Sequence, residues 1–133
     1  MNTIQRLQHF YSVINRVPPE QLTFDGPVQD TAKGTVADPL VWAALDYQFI
    51  KQGLHLEVVL GCSSYPFHPK RISLVPVFGE YQCLFAACLF FDLQDDEINS
   101  LFLASDLNKR VFLEKLTDVI SKKMFAFQAL PKF

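Results

Sequence analysis

Residues 83–91 are an unbroken apolar block, Cys-Leu-Phe-Ala-Ala-Cys-Leu-Phe-Phe, the longest in the chain. It is too short to cross a bilayer, which takes about 20 residues, yet long enough for one strand buried on both faces. Periodicity does not discriminate within such a run: Phe and Cys favour a strand, Ala and Leu a helix. Residues 81–92 are read here as the central strand of a small sheet, and everything else is arranged around that strand.

The segments before it supply candidate neighbours. Residues 71–78 are strand-like, but Pro76 lacks the donor a ladder needs, which argues for an edge strand. A two-residue turn at Gly79-Glu80 would set Pro76 opposite Cys83 in a hydrogen-bonded pair. A four-residue loop, residues 78–81, or an equivalent bulge avoids this and is the preferred register. Upstream, Leu54, Leu56, Val58 and Leu60 alternate with His55 and Glu57, the pattern of a half-buried strand.

Helical spacing marks the rest. Ile4, Leu7, Tyr11 and Ile14 form the stripe of a first helix that Pro18-Pro19 ends. The connection over residues 20–38 is irregular or hairpin-like, with Leu22 and Phe24 anchoring its start. Asp38-Pro39 opens a second helix over residues 40–52, with Trp42, Ala43, Leu45, Phe49 and Ile50 as its apolar face and Gly53 as its end. Residues 98–103 fit either a short helix or a strand. Asp106 is placed as the cap of a last helix whose stripe is Leu107, Val111, Phe112, Leu116, Val119 and Ile120, with lysines on its polar side. The fold class is therefore α+β: one domain over residues 1–133, with an antiparallel sheet of about three to five strands and amphipathic helices mainly on one face.

Composition narrows the function. A chain of 133 residues, half of them hydrophobic and 13 of them Phe, builds one core and is far from disordered composition. A net charge of −2 gives a nucleic-acid backbone no general reason to bind. Without a signal-peptide pattern the chain reads as cytoplasmic, with no membrane segment. Three cysteines with no CxxC pair fit neither a disulfide framework nor a zinc site, and Cys83 and Cys88 are read as small core residues.

Candidate chemistry concentrates in residues 61–70. Cys62, or a serine of Ser63-Ser64, with His68 or His55 as base would be the parts of a nucleophilic site, but GxSxG is lacking. His55 and Glu57 share a strand face and could ligate a metal; two polar neighbours are equally the mark of an exposed face. The acids Asp95, Asp96 and Glu97 read as a solvated turn or the acidic first turn of a helix. The glycines form no phosphate-binding motif. No cofactor and no metal is expected.

The leading reading is a non-catalytic protein-protein interaction module of the immunity, inhibitor, adaptor or secretion-chaperone type. Its acidic and aromatic surface would comprise Tyr65, Phe67, Asp92, Asp95, Asp96, Glu97, Phe125 and Phe127, facing a protein partner. A homodimer through the carboxyl-terminal Phe residues is a further option. The alternative is a small enzyme or ligand-binding domain with a pocket near residues 61–70, using Cys62, His68, His55 and Glu57.

Overall fold

The computed structural model describes residues 1–24, 29–31, 34–60 and 72–128. Helix α1, Thr3–Arg16, opens on Asn2, whose side chain accepts from the Gln5 N–H while the Gln5 side chain accepts from the Asn2 N–H, each at 2.9 Å. Leu7, Phe10, Val13 and Ile14 are its buried stripe. A 3-10 turn, Pro19–Gln21, starts at the second proline. Strands β1, Gln29–Thr31, and β2, Gly34–Val36, then form a small antiparallel hairpin in the connection expected to be hairpin-like. Leu22 and Phe24 pack against the core.

The second helix is two helices. Asp38 caps α2, Pro39–Ala44, by accepting from the Val41 N–H at 2.8 Å, and Asp46 caps α3, Tyr47–Ile50, by accepting from the Phe49 N–H at 3.3 Å. Asp46 takes an extended backbone to do so. That break carries Leu45 and Ile50 out to solvent, while Ala43 and Phe49 stay buried. Gly53, at φ +102°, ends the segment as expected.

Strands β3, Leu54–Leu60, and β4, Ile72–Phe78, pair antiparallel along their whole length. The face carrying Leu54, Leu56 and Phe78 joins the core. Farther out on the same face, Val58 opposes Leu74 and both are exposed.

The central-strand reading of residues 81–92 is overturned. Only Tyr81–Gln82 is a strand, β5, completing a three-stranded sheet in the order β3-β4-β5; residues Cys83–Phe90 form helix α4. The preferred four-residue loop is overturned with it, because Phe78 pairs Tyr81 and Val77 pairs Gln82 across the two-residue turn Gly79-Glu80, with Gly79 at φ +62°. Pro76 explains both outcomes. In this register Phe78 and Tyr81 are the hydrogen-bonded pair, so the next bonded rung would fall on Pro76, which has no N–H. The chain leaves the sheet there: Cys83 adopts φ +56° and the helix starts at once. β4 is thus the middle strand in order, yet Pro76 has no strand partner on its β5 side.

Helix α4 ends at Phe90, with Asp92 at φ +52° and the Leu93 N–H donating to the Cys88 carbonyl at 3.0 Å, a left-handed helix stop on a residue other than glycine. The acidic run becomes the first turn of α5, Asp95–Ile98, where the Glu97 carboxylate accepts from the Gln94 N–H at 2.8 Å. A π-helical turn, Asn99–Leu103, replaces the undecided helix or strand. The last helix, α6, Lys109–Gln128, is capped by Asn108, which accepts from the Val111 N–H at 2.9 Å. Asp106, expected in that role, instead lies 3.7 Å from Lys115.

Phenylalanine holds the core together. Phe10 stacks on Phe91 at 4.6 Å, and Phe49, Phe78 and Phe91 meet Phe90 edge-on at 5.0–5.1 Å. Phe24, Phe102 and Phe10 surround Phe112. Among the described residues, eight Phe side chains therefore belong to one network drawn mainly from α1, α3, β4, α4, the π-helical turn and α6. The fold is α+β as expected, with the antiparallel sheet at three strands.

Candidate interaction site

The acidic run and the end of α6, about thirty residues apart in sequence, meet in space. Lys123 of α6 reaches back to α4 and α5, where its Nζ donates to the Asp92 carbonyl at 2.6 Å and sits 3.3 Å from the Glu97 carboxylate. Both side chains of that ion pair are largely buried. Lys122, beside it, lies 4.0 Å from Asp96 with both side chains in solvent, a pair of little energetic weight.

A cleft of about 470 Å³ opens at this junction, between the start of α1 and the end of α6. Ile4, Ala126 and Phe127 supply apolar lining, and Asn2, Thr3, Asp92 and Lys123 supply polar lining. Phe125 and Phe127 are 74% and 69% exposed, far more than rings of that size show in a settled core. Asp92, Asp95 and Asp96 are exposed, and the first two make no ion pair among the described residues.

Six of the eight residues expected to form the interaction surface can thus be placed. Asp92 and Phe127 line one cleft; Phe125 follows Lys123 by two positions on α6; Asp95 and Asp96 sit on the adjoining helix turn. Glu97 faces inward and is 7% exposed, so it braces Lys123 rather than meeting solvent. Tyr65 and Phe67 lie outside the described residues. Lys123, which ties the site together, reads in sequence as one of several lysines on a polar helix face, and no local signal sets it apart.

The alternative site is only partly visible. Cys62 and His68 lie outside the described residues, as do Ser63 and Ser64. His55 and Glu57 do share a strand face: the His55 Nε2 lies 3.0 Å from a Glu57 carboxylate oxygen, and its Nδ1 lies 3.0 Å from the Gly53 carbonyl. Both ring nitrogens thus face acceptors, which only the doubly protonated imidazole can satisfy by donating from each. The Glu57 hydrogen bond first, and the Gly53 carbonyl second, raise the His55 pKa above its ordinary value. Among the described residues no group of three His, Cys, Asp or Glu side chains could hold a metal ion.

Two further features stand apart. A narrower cavity of about 150 Å³ is lined by Phe24, Asp38, Pro76, Cys83, Leu84 and Phe102 among others, and burial pushes the Asp38 carboxyl up against the pull of the Val41 and Leu40 N–H groups. Cys83 is exposed rather than a core residue, whereas Cys88 is half-buried, with its Sγ donating to the Leu93 carbonyl at 3.0 Å. Helix α4 is apolar on every side, yet Phe85 and Leu89, one turn apart, are exposed. No helix among the described residues is long and apolar enough to cross a membrane. Compared with protein-family models, with curated proteins and with solved structures, the chain shows no significant match to any.

Proposed function

We propose that the protein is a non-catalytic interaction module, of the inhibitor, adaptor or chaperone kind, that docks a protein partner where α5 meets the end of α6. The observation that carries this reading is that an exposed acid and an exposed aromatic side chain, Asp92 and Phe127, share the wall of one cleft. Aromatic side chains are the usual anchors of protein interfaces, and a charged rim raises the encounter rate and selects partners by sign.

The test is site-specific photocrosslinking in the native host from positions 125 and 127, with position 20 on the 3-10 turn as control. The expected result is one protein captured in stoichiometric amount from the first two positions and not from the third, with capture lost in Phe127→Ala. A protein that stays monomeric by light scattering and captures no stoichiometric partner from either position contradicts the proposal.

A further inference from the structure

We infer that the narrow cavity between the starts of α2 and α4 is a binding site for a small organic ammonium, a primary amine on a compact apolar body that pairs with Asp38. The inference goes beyond the interaction-module reading. This cavity shares no lining residue with the cleft between α1 and α6, so either site can stand without the other.

Four elements wall the cavity: the start of α2, β4 at Pro76, the start of α4 and the π-helical turn. Of the eight described residues that line it, six are apolar, among them Phe24 and Phe102. Both rings lie against the buried Phe112, with centroids 5.7 and 6.0 Å away, so the core fixes where they stand. The volume of about 150 Å³ matches that of an apolar cavity able to admit benzene, which sets the occupant at the size of a single ring.

Charge sets the chemical class. Among the described residues that line the cavity, Asp38 is the acid and no Lys, Arg or His stands with it; Cys83 adds only a weakly polar thiol. The Val41 N–H satisfies the Asp38 carboxylate as an acceptor without neutralising it, and among the described residues Asp38 forms no ion pair. Burial accordingly pushes its carboxyl up. An ammonium supplies the missing counter-charge and is attracted by aromatic rings, while its apolar body fills the rest of the space. A carboxylate on the same body meets like charge. The larger cleft has no such preference, because Asp92 and Lys123 both line it.

The experiment uses the full chain, labelled for NMR, and three probes of nearly one shape: benzylamine, benzyl alcohol and benzoate. At millimolar concentration benzylamine should shift the amides of Leu40, Leu84 and Phe102 and bind about tenfold more tightly than benzyl alcohol, and benzoate should shift none of them. In Asp38→Asn, which keeps an acceptor for the cap, benzylamine should fall to the level of benzyl alcohol. Benzoate binding as well as benzylamine overturns the inference, as does a preference for benzylamine that survives Asp38→Asn. No shift from any probe, or shifts confined to Ala126 and Phe127 in the other cleft, overturns it too. A lysine side chain carries the same chemistry, so N-acetyl-lysine methylamide is the fourth probe. Its binding as tightly as benzylamine would make a protein side chain the occupant and overturn the choice of a small molecule.

Discussion

At the scale of single residues, Asp38 combines two opposed effects. Its carboxylate caps α2, and its burial in an apolar cavity disfavours the charge. Asp38→Ala should lose the cap and about 1 kcal/mol of stability. Asp38→Asn keeps an acceptor without the charge and should be at least as stable as wild type at pH 7. The difference has a definite sign: with the folded pKa raised above 3.8, the wild type holds more protons folded than unfolded across that interval, so its stability falls relative to Asp38→Asn as pH rises through it. Denaturant melts at pH 3.5 to 7 read this directly. His55 follows the same sign for a different reason, since here it is the charged form that the fold favours. Its raised pKa means that the Glu57 contact stabilises the fold below pH 6.5 and is lost as pH climbs through the folded value. The pair is solvent-exposed and of small energetic weight, so the readout is an NMR titration, with the His55 midpoint above 6.5 in wild type and lower in Glu57→Gln. Caps of this kind are legible in sequence, as Asp38-Pro39 and Gly53 demonstrate, because their chemistry is local. The left-handed Cys83 and Asp92 are not, because neither is the glycine that such a backbone conformation favours.

At the scale of elements, α4 is the instructive case. A run apolar on every side carries no period, so neither a strand nor a helix can be read from it. What decides is Pro76, which has no N–H to offer the next rung of the ladder, so the strand ends after Gln82. Had residues 81–92 been the central strand, their side chains would have alternated across the sheet. Instead Ala86, Ala87 and Phe90 are buried on one side of a helix, and Phe85 and Leu89 are exposed on another. The contrast can be measured. Phe91→Ala removes a ring stacked on Phe10 and in contact with Phe49 and Phe90, and should cost about 3–5 kcal/mol, whereas Phe85→Ala should change stability by about 0.5 kcal/mol or less. Equal effects of the two substitutions in chemical denaturation would contradict this packing. α1 and α6, with clear helical stripes and polar ends, were legible for the converse reason.

At the scale of the whole molecule, the high Phe content divides between two tasks. Among the described residues, eight rings build the core, and Phe85, Phe125 and Phe127 remain at the surface. Composition alone could not apportion them. The acidic run and the α6 aromatics were visible in sequence as separate features; that Asp92 of one and Phe127 of the other line one cleft depends on the path of α6 and on Lys123, a long-range contact that no local pattern encodes. The lysines of α6 do more than cover its polar side. Lys109 donates to the carbonyls of Asn15 and Val17 at the end of α1, Lys115 to Ser100 in the π-helical turn, and Lys123 to Asp92 after α4. The two bonds from Lys109 span 94 and 92 residues of chain. During synthesis α6 leaves the ribosome after every element it fastens, so α1 emerges with its carboxyl end unsecured and waits for about ninety more residues to be made. Native closure therefore waits for α6, and until it emerges the growing chain displays the phenylalanines of its future core to whatever surrounds it.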